Sequence, residues 1–216
     1  MRGVKFDDYH SADDWDLILN SKTINPPTPK YVTVEVDGRD GNLDLSEALT
    51  GEVKYNNREA SFGFILAEGS QSDREDLIST IVNAIHGKRK KIVEPDDPDH
   101  YLIGRCTVGE ITNTRAYGTL FVSVDCEPYR YALTETVRTI TATSTATEVV
   151  LTNNGRKTVV PTIVVTGSVS VEFDNTTTTL SDGSYKIASL TLKTGSKILK
   201  IKGSGTIVFS YREGVL

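Results

Sequence analysis

Ser72–Gly87, SDREDLISTIVNAIHG, decides the fold of this chain, because it is the one segment that reads as a helix in a sequence otherwise made of strands and turns. Ser72 and Glu75 have the spacing of a capping box, in which a hydroxyl takes a free first-turn N–H and a carboxylate three residues on reaches back to the cap. Asp73, Glu75 and Asp76 place negative charge at the positive end of the helix dipole. Leu77, Ile78, Ile81, Val82 and Ile85 recur at three- and four-residue spacing, so one face is apolar and requires burial, here against a sheet. Gly87 supplies the left-handed residue that ends a helix, and Lys88, Arg89, Lys90 and Lys91 bring positive charge to the last carbonyls. One amphipathic helix among strands predicts an α+β unit with the helix on one sheet face.

Before the helix, Gly3–Phe6 and Trp15–Leu19 read as short strands. The run Asn25-Pro26-Pro27-Thr28-Pro29 excludes regular structure, since each proline lacks an N–H and restrains its predecessor. Tyr31–Val36 alternates and is rich in β-formers, so it predicts a strand. Val53–Tyr55 and Ala60–Leu66 flank Asn56-Asn57-Arg58, which has hairpin chemistry. After the helix, Lys91–Val93 and Tyr101–Val108 read as strands on either side of the turn Glu94–Asp99, with Gly104 as a bulge or point of close approach. Tyr117–Cys126 puts Leu120, Val122 and Val124 on one face.

The texture changes near Thr134. Threonine becomes frequent, no helical period recurs, and about seven short strands are separated by turn signals such as Asn153-Asn154-Gly155 and Gly203-Ser204-Gly205, the pattern of a β-sandwich or jelly roll. The expected division is 1–134 and 135–216, mainly β with one helix. Charge follows the same division: 23 acidic and 15 basic side chains up to residue 134, against 6 and 9 beyond it, within a net charge of −5. An acidic first part argues against binding a phosphate backbone, which requires clustered Lys and Arg. No apolar run is long enough to span a bilayer, and the N-terminus lacks the apolar core of a signal peptide, so synthesis in a cytosol is expected.

Residues that carry chemistry are sparse. His10, His86 and His100 have no spacing that would put two on one metal. Cys106 and Cys126 are too far apart in sequence for a zinc pair and read as reduced, buried thiols. Asp125 and Glu127 could share a face as a glycosidase pair does, yet paired acids at a strand end are common on surfaces. Asp96-Asp97-Pro98-Asp99 lacks the ligand spacing of a calcium loop and reads as a stiffened turn. Lys88–Lys91 complements the helix dipole, or alternatively meets acidic neighbouring subunits. Phe173, Tyr185, Phe209 and Tyr211 are the aromatics of the second part and are expected in or near its core, although exposed rings there would suit sugar stacking. No catalytic, cofactor or metal residue is assigned, and a non-enzyme is expected.

The ordered features GVKFDDYHSADDWDLIL, YVTVEVDGRDG, EVKYNNREASFGF, GKRKKIVEPDDPDHYLIGRCTV, YGTLFVSVDCEPYRYAL and LKTGSKILKIKGSGTIVFSYREGVL resemble, in that order and spacing, the distal tail protein family of long-tailed phages and prophages of Gram-positive hosts. The resemblance implies a first domain that forms a hexameric ring at the distal end of the tail tube and a galectin-like second domain projecting outward. It implies a place in the virion and, as partners, the major tail tube protein, a tail-associated fibre or lysin protein and receptor-binding components, with DNA passing through the ring without specific binding. An acidic lumen suits such passage. The alternative is a carbohydrate-binding module recognising host cell-wall glycan through Tyr185 or Tyr211.

Overall fold

The computed structural model describes residues 2–216, which divide into two compact units, one running up to Arg130 together with Leu216 and the other Tyr131–Val215. In chain order the first contains β1 (Lys5–Phe6), β2 (Tyr9–His10), β3 (Ile18–Ile24), β4 (Thr33–Val34), β5 (Leu43–Asp44), β6 (Arg58–Leu66), α1 (Gln71–Ile85), β7 (Arg89–Glu94), β8 (Asp97–Asn113) and β9 (Gly118–Cys126). The main sheet has the order β2-β1-β7-β8-β9-β6-β3, with every neighbouring pair antiparallel.

The helix lies on one face of this sheet, as its stripe requires: Ile78, Ile81 and Ile85 are buried, Leu77 and Val82 partly so, and all pack with Phe62, Phe64, Leu120, Val122 and Val124. The cap differs from the expectation. Ser70, not Ser72, opens the helix, accepting from Asp73 N at 3.2 Å while the Asp73 carboxylate accepts from Ser70 N at 2.8 Å. Two overlapping boxes exist in the sequence; Ser72 lies inside the helix, and Glu75 accepts from Asn113 Nδ2 at 2.9 Å. At the other end Gly87 has φ +71° and its N–H reaches the carbonyl of Cys106 at 2.8 Å, so the glycine turns the chain directly onto β8.

Gly104 is a point of close backbone approach. A Cβ there would strike the main chain of Asp125 and Cys126, and the strand pairing of β8 with β9 needs that space. The expected hairpin at Asn56-Asn57-Arg58 does not form: Tyr55 bridges to Pro29, while Arg58 already belongs to β6. The strand expected over Tyr31–Val36 shrinks to Thr33–Val34, paired only with β5. The chain offers these residues no larger sheet to join.

After the first unit come β10 (Arg130–Ala132), which starts at its last residue, then β11 (Thr136–Ala142), β12 (Thr147–Asn153), β13 (Thr162–Phe173), β14 (Thr176–Leu180), β15 (Gly183–Tyr185), β16 (Gly195–Tyr211) and β17 (Gly214–Val215), of which β11 to β16 form the sheet of the second unit. Here four of the expected short strands are two long ones. Gly203-Ser204-Gly205, which reads as a turn, lies inside β16 and pairs with Gly167, Ser168 and Val169 of β13. Gly167, Gly203 and Gly205 all have positive φ, and a side chain on any of them would meet the partner strand's backbone. Glycine is therefore what lets two long strands bend together without breaking their ladder. On β13, Ile163, Val165, Val169, Val171 and Phe173 share one parity, and on β16 so do Leu199, Ile201, Ile207, Phe209 and Tyr211; all are buried in one core. A single face can enclose itself only if the sheet folds over. The sandwich is one six-stranded sheet doubled at its glycines, with β12 and β11 flanking successive halves of β16, and β15 and β14 flanking successive halves of β13.

Candidate functional site

Asp125 and Glu127 are each engaged with a different partner. Asp125 accepts from Asn57 Nδ2 at 3.0 and 3.1 Å, and Glu127 is paired with Arg89. Each carboxylate is held by its own neighbour. His10 lies 2.9 Å from Asp13 and His100 2.7 Å from Asp97, while His86 Nδ1 accepts the N–H of Val108 at 3.0 Å and ties the helix end to β8. Among the described residues no three metal-binding side chains converge. Cys106 and Cys126 are buried and free, and burial pushes both thiols up to about 12. They stay protonated and unreactive at neutral pH.

Asp96 and Asp97 are the ends of ion pairs: Asp96 with Arg2 and Lys22, each at 2.6 Å, and Asp97 with Arg130 at 2.9 Å. The Lys22 and Arg2 cations hold the Asp96 carboxyl below its ordinary range. The basic run after the helix is equally engaged at home. Lys88 Nζ donates to the carbonyl of Asn83 at 2.6 Å, Arg89 pairs with Glu127, Lys90 lies 3.1 Å from Asp7, and Lys91 sits 4.3 Å from the centre of the Tyr101 ring. Arg89–Lys91 form the start of β7, and each of the four side chains has a contact within the chain.

In the second unit Phe173, Phe209 and Tyr211 are buried and Tyr185 packs against the same core. Tyr211 Oη donates to the carbonyl of Thr152 at 2.6 Å and Tyr185 Oη to that of Ser181 at 3.1 Å. Phe173, Phe209 and Tyr211 are thus core rings, and Tyr185 alone of the four keeps part of its surface open.

The surface that stands out is the segment 28–57, in which no residue is buried. Its base closes through Lys30 N to Lys54 O at 2.8 Å and Asn56 N to Thr28 O at 2.9 Å, and its tip carries β4 and β5. Tyr31 is 74% exposed and Leu49 98%, with Val32, Val34, Val36 and Leu45 also open to solvent. This is a two-stranded arm that contributes no residue to either core and presents its apolar side chains outward. Sequence periodicity identified its β character, and the exposure of its side chains is visible only in the fold.

No protein-family model and no curated protein sequence matches this chain. A solved structure does: the crystal structure of Dit from phage SPP1, described as a paradigm of the hub adsorption apparatus in phages that infect Gram-positive hosts. It superposes with a TM-score of 0.70 and 16% sequence identity, over 98% of this chain and 99% of that one. The chain has the Dit fold. The likeness covers both units, so the Dit fold includes the helix-bearing sheet and the second, β-only unit alike. At this identity it is carried by the order of elements and not by shared side chains. No helix among the described residues is long and apolar enough to cross a membrane.

Proposed function

We propose that this chain is a non-enzymatic hub subunit of a phage tail tip, which assembles with copies of itself into a ring at the distal end of the tail tube. The observation that carries the proposal is the arm 28–57 on a chain with the Dit fold: at least six large apolar side chains are held in the open by a segment with no core of its own. Contiguous exposed apolar surface marks an interface, and a β-ribbon with free edges gains both burial and hydrogen bonds when it lies against a neighbour. A ring is the closed outcome when each subunit's arm grips the next in the same sense. The sixfold number comes from the family resemblance. So do the partners: the tail tube protein above, a fibre or lysin protein below, receptor-binding components at the periphery, and DNA that passes through without being bound. The resemblance likewise places the protein in the virion after synthesis in the host cytoplasm. The acidic balance of the first 134 residues agrees with unhindered DNA passage.

The test is the mass of the purified protein, alone and mixed with tube and fibre partners. An assembled species in the mixture supports the proposal, and a strict monomer under both conditions contradicts it.

A further inference from the structure

One buried cation in the first unit keeps two N–H groups without an acceptor. Arg58, at the start of β6, is 4% exposed, and its Nε and Nη2 atoms are buried without a hydrogen-bond acceptor. It lines a cavity of about 340 Å³ shared with Lys22, Glu94, Arg130 and Leu216. The other cations there are answered: Lys22 by Glu94 and Asp96, and Arg130 by Asp97 at 2.9 Å and by the carbonyl of Leu216 at 2.7 Å, although Arg130 Nε is also buried and unbonded. A buried guanidinium with orphaned N–H groups is unfavourable unless something supplies acceptors and charge.

The two orphaned nitrogens of Arg58 identify what that is. Nε and Nη2 form one edge of the guanidinium fork, and two parallel N–H groups on one edge match the two oxygens of a carboxylate or phosphate. The cavity is roomy for such a group and for a short stem behind it, and its lining lacks the aromatic rings a nucleobase or sugar would stack on. We infer that this cavity is an oxyanion site, with Arg58 as the bidentate donor and Arg130 Nε as a second donor. The burial that lowers the Arg58 pKa, with the nearby Arg130 acting in the same direction, is the electrostatic cost that a bound anion relieves.

The experiment is thermal unfolding of the full chain at constant ionic strength, replacing chloride with inorganic phosphate or with acetate. The expected result is a saturable rise in midpoint of about 3 °C with at least one of them. A response to phosphate alone assigns the site to phosphate-type anions, and a response to acetate assigns it to carboxylates, including those of protein side chains. Arg58→Met abolishes the rise, whereas Lys200→Met on the second unit keeps it. General stabilisation by excluded salts would neither saturate nor depend on Arg58. Should Arg58→Met fail to fold, calorimetric titration of phosphate or acetate into Arg58→Lys decides, because lysine keeps the charge without the fork. Affinity reduced about tenfold or more is expected. A wild-type midpoint indifferent to both anions, an equal rise in Arg58→Met, or unchanged affinity in Arg58→Lys overturns the assignment.

Discussion

Arg74, on the first turns of the helix, donates its Nε to the Asn113 side-chain oxygen at 3.1 Å, fastening the helix to the turn between β8 and β9. Its other nitrogens reach the carbonyls of Gly69 and Thr114, both at 2.6 Å, and the side chain is only 2% exposed. One cation thus satisfies the loop before the helix and the turn beneath it. Arg74→Met removes these hydrogen bonds and the buried charge that makes them, and a loss of about 3 kcal/mol is expected in chemical denaturation. Arg74→Lys recovers only part, because a single ammonium cannot reach the same spread of acceptors.

The cap is open to a paired test. Ser70→Ala removes the acceptor for Asp73 N and is expected to cost about 1 kcal/mol, while Ser72→Ala inside the first turn stays within about 0.5 kcal/mol of the parent. Equal costs from urea titrations of the two variants would contradict the cap at Ser70.

Reversing Lys88, Arg89, Lys90 and Lys91 to glutamate would abolish their contacts with Asn83, Glu127, Asp7 and Tyr101 and set like charges against Asp7 and Glu127. The isolated protein should lose about 2 kcal/mol or more, seen as a lower unfolding midpoint before any partner is added. A midpoint equal to the parent's would return the run to the role of a free surface patch.

Both cysteines should be silent in the native state. With the thiols pushed up to about 12, a disulfide-exchange reagent at pH 8 finds almost no thiolate and no access, so the native protein reacts slowly and the denatured protein yields two thiols. Rapid native labelling of either residue would show that the first core opens readily.

How much of this was legible in the sequence depends on whether an element is explained by its own residues. The helix and the face formed by Leu120, Val122 and Val124 were, since periodicity and burial express the same constraint. The doubled sheet was not: Gly203 and Gly205 carry a turn signal, and only the partner strand reveals that they serve close approach inside β16. The capping register was ambiguous because Ser70–Asp73 and Ser72–Glu75 both satisfy the pattern, and the helix takes the first. Arg74 and Arg58 lay outside any motif. An arginine's burial depends on what surrounds it in space, and short-range spacing does not carry that information. For the arm, Tyr31–Val36 was read as strand, but that these side chains stay uncovered is a fact about the rest of the fold.

The central claim, a ring closed by the arm, is tested most directly by negative-stain imaging of the protein mixed with its tail tube partner, comparing the parent with Tyr31→Ser, Val34→Ser and Leu49→Ser combined. These side chains touch neither core, so the variant should fold with an unchanged unfolding midpoint. Rings of sixfold symmetry from the parent and unassembled subunits from the folded variant are the predicted result. Parent protein that never forms rings, or rings that form equally well from the variant, would contradict it.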